Sequence, residues 1–307
     1  MIKKGRKMDK IARFPEFTPL DISHRDVFEK HFLEMQPAVS EFNFTEIFAW
    51  HSIRETKITV HNCGLFVYLN KAGKKYFYPP FGKNCSPKSL TAVLDYFLTQ
   101  NEETHFYGFD SDGALMAEET GKLTAIEDRD NADYVYSLND LITLSGRKYD
   151  GKRNHLKNFY RNNDFEFVTV TSAMIPEVMA FQKQWCLERG CEDDLSLKNE
   201  GVAVMEVLNN FDKLNVFGAI IKINGKIEAF TAASELNSDT AVVLFEKGNP
   251  GIRGIYQAIN KEFCERMLSK YKWVNREQDG GDEGLRKAKL SYNPDHLVSK
   301  YVVKLKA

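Results

Sequence analysis

Asn224-Gly225 stands between two runs of strand-forming residues, NVFGAIIKI and KIEAFTAAS. Asn-Gly readily supplies the two consecutive positive-φ residues that a type I′ turn needs, so the pair fixes a tight antiparallel hairpin at this point. The flanking stretches then narrow the fold. Upstream, PEVMAFQKQWCLER (176–189) opens on proline, places Val178, Phe181 and Trp185 at helical spacing and ends before Gly190. A second amphipathic stretch covers 202–211. Downstream, a polar turn at 237–239 leads into a third strand, TAVVLFE. The spacing of Ile255, Ile259, Phe263 and Met267 predicts a helix over 254–269. KWVNRE reads as a strand, DEGLRKAKL as a short helix and SKYVVKL as a last strand.

The first half repeats that order. A helix near 24–35 precedes the strands TKITV, GLFVYLN and KYFYPP, the second and third joined by the turn KAGKK. SLTAVLDYFLTQ reads as a helix, THFYGF as a strand and DGALMAEE as a short helix; strands near 124–127 and 133–137 finish the half. The expected class is therefore α+β, two similar mixed domains in tandem with a boundary near 134–140. We expect an N-terminal domain, residues 1–135, with a structural role, and a C-terminal domain, 136–307, carrying the active site. The element order resembles the GNAT acyltransferase fold, in which the fourth and fifth strands splay apart to admit an acyl donor.

Composition narrows the functional classes. The 307 residues are 43% hydrophobic and 28% charged, with net charge −1, so overall electrostatics favour neither nucleic acid nor membrane. No apolar run approaches the roughly 18–20 residues that span a bilayer. The basic start, MIKKGRKMDK, leads into no apolar core of a signal peptide, and a cytoplasmic chain is expected. Five scattered cysteines (63, 85, 186, 191, 264) read as reduced, mostly buried thiols rather than a zinc site. The seven histidines show no metal-ligand spacing, and no Gly-x-Ser-x-Gly nucleophile elbow occurs.

Three stretches concentrate chemistry. EKGNPGIRGIY (246–256) brings three glycines to a helix start, where free amides and the helix dipole can hold a phosphate, aided by Lys247 and Arg253. Its glycines, at 248, 251 and 254, fit the usual acetyl-CoA spacing poorly, and a plain connecting turn remains open. GRKYDGKRNHLKNFYRNN (146–163) sets Arg153, Lys157 and Arg161 four apart on one helical face, with Leu156, Phe159 and Tyr160 on another. That strip, with Lys152 nearby, suits phosphates, or is simply a solvated face. NREQDGGDEGLRKAKLSYNP (275–294) orders acids before bases, as a short helix with a complemented dipole would. It also places ionisable groups around Gly280 and Gly281. Asp279 or Glu246 could take a proton from a nucleophile, and Arg286 and Lys289 could neutralise a phosphate or an oxyanion. Arg276 and Tyr292 flank the segment.

The run VNREQDGGDEGLRKAKLSYNPDHLVSKYVV resembles the C-terminal signature of the phosphatidylglycerol lysyltransferase C-terminal domain family. GRKYDGKRNHLKNF resembles the start of that family's second half, and SEFNFTEIFAW (40–50) and YPPFG (78–82) resemble its first. The resemblance implies a tandem GNAT fold, shared with the Fem-type peptidyltransferases. It also implies an aminoacyl-tRNA donor whose amino acid passes to a lipid hydroxyl or a peptide amine. Lys152, Arg153, Asn154 and Lys157 fall on its basic motif; Arg276, Asp279, Gly284, Arg286, Lys289 and Pro294 fall on its C-terminal one. The lipid-modifying synthases carry a multi-span membrane region ahead of this module. None is seen here, so the acceptor need not be the one those synthases use, and a lipid, a peptide and a small molecule all stay open as acceptors. An aminoacyl ester is already activated, so no metal or other cofactor is expected. The alternatives are an acyl-CoA-dependent N-acyltransferase of the same fold and a non-catalytic module binding RNA or peptide.

Overall fold

The computed structural model describes residues 11–71, 73–82, 85–100 and 104–306. The N-terminal decapeptide, Ala72 of the KAGKK turn, and Lys83 and Asn84 of PPFGKNCSPKS lie outside the described residues. The strands are β1 (Thr18–Pro19), β2 (Lys57–His61), β3 (Gly64–Lys71), β4 (Lys74–Phe77), β5 (Thr104–Phe109), β6 (Leu123–Glu127), β7 (Asp133–Ser137), β8 (Phe165–Thr169), β9 (Val216–Ile223), β10 (Lys226–Glu235), β11 (Thr240–Gly248), β12 (Trp273–Asn275), β13 (His296–Val298) and β14 (Tyr301–Leu305). They form two sheets of one plan. The first runs β1-β2-β3-β4-β5-β14-β6 and the second, read in the matching direction, β8-β9-β10-β11-β12-β7-β13. Neighbours pair antiparallel except β4 with β5 and β11 with β12, which are parallel.

The order exposes one correction to the sequence reading. Strands 133–137 and 301–305 were expected to finish their own halves, with a boundary at 135/136. Each is built instead into the other sheet: β7 pairs with β12 and β13, and β14 with β5 and β6. The compact units are accordingly residues up to 128 together with 300 onward, and residues 129–299. Alternation tells which face of a strand is buried but not which sheet receives it. Tyr134, Val135 and Tyr136 are all at most 4% exposed, as suits a strand covered on both faces.

The hairpin forms as expected. Asn224 and Gly225 take φ of 51° and 76° between β9 and β10. In the second unit, helix Asp150–Asn162 buries Leu156 and Phe159, and helix Ile255–Met267 buries Ile255, Ile259 and Phe263, all against Ala219, Ile221, Ala229 and Val274 of the sheet. Gly254, at φ 88°, lets these two helices close up: a Cβ there would lie 2.5 Å from the His155 carbonyl oxygen. In the first unit, helix Pro87–Thr99 packs Leu90, Val93, Leu94 and Phe97 with Phe66, Phe77, Phe106 and Val303.

The cysteine reading is also corrected. Cys63 pairs with Cys85 and Cys186 with Cys191, their Cα atoms 4.6 and 5.1 Å apart, while Cys264 is a buried thiol. The first pair meets because Gly64 and Gly82 let two backbone segments touch. A Cβ on either would lie 2.3 or 2.2 Å from the opposing carbonyl oxygen. The second pair closes the turn after helix Ile175–Arg189, at left-handed Gly190. No helix among the described residues is long and apolar enough to cross a membrane.

Candidate active site

The parallel pairing of β11 with β12 covers only Thr240–Val242 against Trp273–Asn275. β11 runs on to Gly248, whereas the chain leaves β12 after Asn275, so the two diverge and a cavity of 460 Å³ opens between them. Val243, Leu244 and Glu246 line it from β11, and Arg276, Glu277 and Gln278 from the segment after β12. The register between β10 and β11 slips at Ala232/Ala233, which leaves Leu244 as the extra residue of a bulge at the cavity wall. Lys152 enters from helix Asp150–Asn162, Leu285, Ala288 and Lys289 from helix Glu283–Leu290, and Tyr292 just beyond it.

The charges inside are ordered. Arg276 pairs with Glu246 at 2.9 Å, both side chains only 13–14% exposed. Burial alone would lower the Arg276 pKa, but its neighbours together, Glu246 foremost, more than offset it and the guanidinium stays charged. The Tyr292 ring carries the Arg276 guanidinium at 5.0 Å and the Lys152 ammonium at 3.9 Å from its centroid. Burial, reinforced by Arg276, draws Lys152 down to about 8. Lys289 donates to the carbonyls of Arg276 and Glu277, and burial and Arg276 bring it likewise to about 8. Burial pushes the Tyr292 hydroxyl well above its ordinary range.

Other expected site residues lie elsewhere. Asp279 is not at the cavity. Its fully buried carboxylate accepts from Arg286 at 2.7 and 2.9 Å, from Tyr134 Oη at 2.6 Å and from the Gly281 amide at 2.9 Å. Burial would raise its pKa, but these partners hold it well below the usual carboxylate range. With its lone pairs engaged it is a poor proton acceptor. Arg286 is committed too, spanning Asp279 and Asp130. Gly280 and Gly281 serve the same clasp: the Gly280 amide donates to the Asp130 carbonyl, and a Cβ at Gly281 would meet the Asp130 carboxylate at 3.1 Å. The acid-before-base order of 282–289 is that of a capped helix, with Asp282 Oδ1 accepting from Leu285 N.

The 246–256 turn reaches the cavity through Glu246 and Tyr256, while Arg253 is exposed and outside it. Lys247 turns to Glu200 at 2.5 Å and to the Trp185 ring at 4.4 Å. Arg153 ties down its own helix start through Asp150 and the carbonyls of Leu144 and Gly146. Lys157 and Arg161 are exposed, as a strip on the outer face would be. Of the expected set, the cavity gathers Lys152, Glu246, Arg276, Lys289 and Tyr292. It adds Glu200, Gln257 and Glu277, which the sequence did not single out as site residues.

The family model for the C-terminal region of phosphatidylglycerol lysyltransferase matches residues 33–304. The chain belongs to this family. A conserved protein of unknown function from Bacteroides thetaiotaomicron is 31% identical and superposes with a TM-score of 0.89, covering 94% of this chain and 99% of that one. L-PGS from Bacillus licheniformis aligns at TM-score 0.64 with 13% identity, over 96% of this chain and 94% of its own. FemX aligns at TM-score 0.56 with 8% identity over 94% and 96%, and a tandem GNAT protein from the clavulanic acid pathway at 0.50 with 9% over 94% and 98%. These last three carry the fold, which is tandem GNAT-like. An uncharacterized protein of Mycoplasmoides gallisepticum is 22% identical over 177 residues, 57% of this chain; the match spans just over half of that relative, 56%.

Proposed function

We propose that this lysyltransferase-family chain is an acyltransferase that moves an aminoacyl group from aminoacyl-tRNA to an acceptor bearing an anionic group, in the opening between β11 and β12. The observation that carries the reading is the cavity itself, a gap between diverging parallel strands with the Arg276–Glu246 pair at its wall and Lys152 and Lys289 beside it. A hydroxyl or amine of the acceptor attacks the ester carbonyl. Its proton passes to Glu246 and on to the ribose oxygen as the carbon–oxygen bond breaks. The unpaired Leu244 segment of the bulge offers an amide to the tetrahedral oxyanion. Lys152 and Lys289, cationic below about pH 8, hold the acceptor's anionic group.

Helix Asp150–Asn162 connects the two ends of this scheme, with Lys157 and Arg161 outside to meet the tRNA backbone and Lys152 inside. The ester needs no metal or cofactor to activate it. The test incubates the protein with tRNA charged with labelled amino acids and a cell extract, then follows label into the lipid, peptide and small-molecule fractions. Transfer that Arg276→Met abolishes supports the proposal. Salt-sensitive tRNA binding without turnover would replace it with a binding module.

A further inference from the structure

The Cys186–Cys191 disulfide ties helix Ile175–Arg189 to the turn that leads into helix Leu195–Asn209. A second cavity, about 750 Å³, opens beside the bond; both cysteines line it, and Cys186 is only half-buried. A small thiol therefore has a path to the bond. The neighbours of the bond are supports of the β11–β12 cavity. Trp185, one residue before Cys186, is 6% exposed. Its Nε1 donates to the Gly248 carbonyl at 3.0 Å and its ring centroid lies 4.4 Å from the Lys247 ammonium, both at the end of β11. On the other helix, Gly201 lies against Cys186 Sγ, which a Cβ there would meet at 3.4 Å. The residue before it, Glu200, pairs with Lys247 at 2.5 Å and lines the β11–β12 cavity. Gln182 Nε2 lies 3.7 Å from the same sulfur. Two free thiols need more room than one bonded pair. With Gly201 and Gln182 already against Cys186 Sγ, that room comes from moving the two helices.

We propose that Cys186–Cys191 is a site of thiol–disulfide exchange with low-molecular-weight thiols, and that its redox state sets how Trp185 and Glu200 hold the end of β11, resting in its effect on activity on the reading of the β11–β12 cavity as the transfer site. A thiol gives its proton to water and its thiolate bonds Cys186 Sγ as the bond to Cys191 breaks; Cys191 leaves as a thiolate and is protonated by water. A second thiol then frees Cys186 and departs in the reagent's own disulfide, so two cysteines are reduced and two reagent thiols oxidised. The oxidised chain keeps Trp185 on Gly248 and Glu200 on Lys247; the reduced chain loosens both contacts.

The experiment treats the full folded chain with dithiothreitol, maps the freed cysteines by alkylation and mass spectrometry, and follows tryptophan fluorescence and aminoacyl transfer. Cys186 and Cys191 are expected to be alkylated only after reduction. The fluorescence should shift with reduction, and Trp185→Phe should remove that shift. Transfer kcat/KM should fall roughly 5-fold or more. The double variant Cys186→Ser/Cys191→Ser should match the reduced chain and no longer respond to dithiothreitol, although Cys63–Cys85 is still present. Alkylation of Cys186 and Cys191 without reductant overturns the proposal. So does a reduced chain with unchanged fluorescence, a reduced chain with unchanged transfer, or a response that persists in the double variant. If no transfer is detected in either state, the reaction proposed above fails, and the alkylation and fluorescence arms still decide the switch.

Discussion

The parallel strand pair β4–β5 of the first unit and the pair β11–β12 of the second occupy matching places in sheets of one plan, yet one is packed and the other open. By register, Tyr78 and Tyr107 follow the last parallel pair in the first unit, and Val243 and Arg276 follow it in the second. Tyr78 is fully buried, 6.0 Å from the Phe42 ring and 6.3 Å from that of Tyr107, and accepts from Arg54 at 3.0 Å. Lys300 and Glu41 form a buried ion pair beside it, and Tyr107 donates to Glu41. At the second place the ion pair Glu246–Arg276 borders a cavity instead. A duplicated plan preserves hydrogen-bond ladders; side-chain volume after the last parallel pair decides whether a seam becomes core or site.

The largest expected effect breaks the packed seam. Lys300→Met or Glu41→Leu alone removes one side of a buried ion pair and should cost about 3–5 kcal/mol in denaturant unfolding, much of it recovered in the double variant. Burial raises the Glu41 pKa, but Lys300 outweighs it and the net shift is down. The pair's stabilisation should therefore hold above the ordinary carboxylate range and fall away on acidification through the depressed pKa. Next, Arg276→Met in the open seam should lower kcat/KM for aminoacyl transfer by roughly 10²–10³, with Arg276→Lys a poor substitute because Lys lacks the planar fork. Asp279→Ala and Arg286→Ala should instead lower the melting temperature and leave acceptor KM unchanged; a shift in KM would return the clasp to the site.

Filling the open seam tests the comparison directly. Val243, buried at the cavity wall, borders the open space, so Val243→Tyr should abolish transfer at a stability cost no greater than the roughly 1–3 kcal/mol of ordinary overpacking. A large loss of stability would mean that the seam is not truly open. The smallest effect is on pH dependence. KM for an anionic acceptor should rise several-fold above about pH 8 as Lys152 and Lys289 lose their protons, and Lys152→Met should flatten that rise.

Local rules made much of the fold legible. Asn224-Gly225 located a hairpin, and fourth-residue spacing located helix Ile255–Met267. The family resemblance in the C-terminal signature led to Arg276 and Lys289 at the cavity. What stayed hidden depends on distant partners. Asp279 and Arg286 read as catalytic until Asp130 and Tyr134, about 150 residues earlier, are seen to occupy them. Nothing in the alternation of DYVYS or YVVKL says that each strand joins the other sheet. Cys63 and Cys85 meet only through the glycine contact beside them.

The exchanged strands set a timetable for synthesis. β14 lies between β5 and β6 and supplies Val303, wholly buried, to the first core. As the ribosome works from the N-terminus, the earlier unit is held incomplete until Tyr301–Leu305 has been made, whereas the later one already has β7 waiting. A stop codon ahead of Tyr301 would therefore do its damage in the first unit, almost two hundred residues upstream.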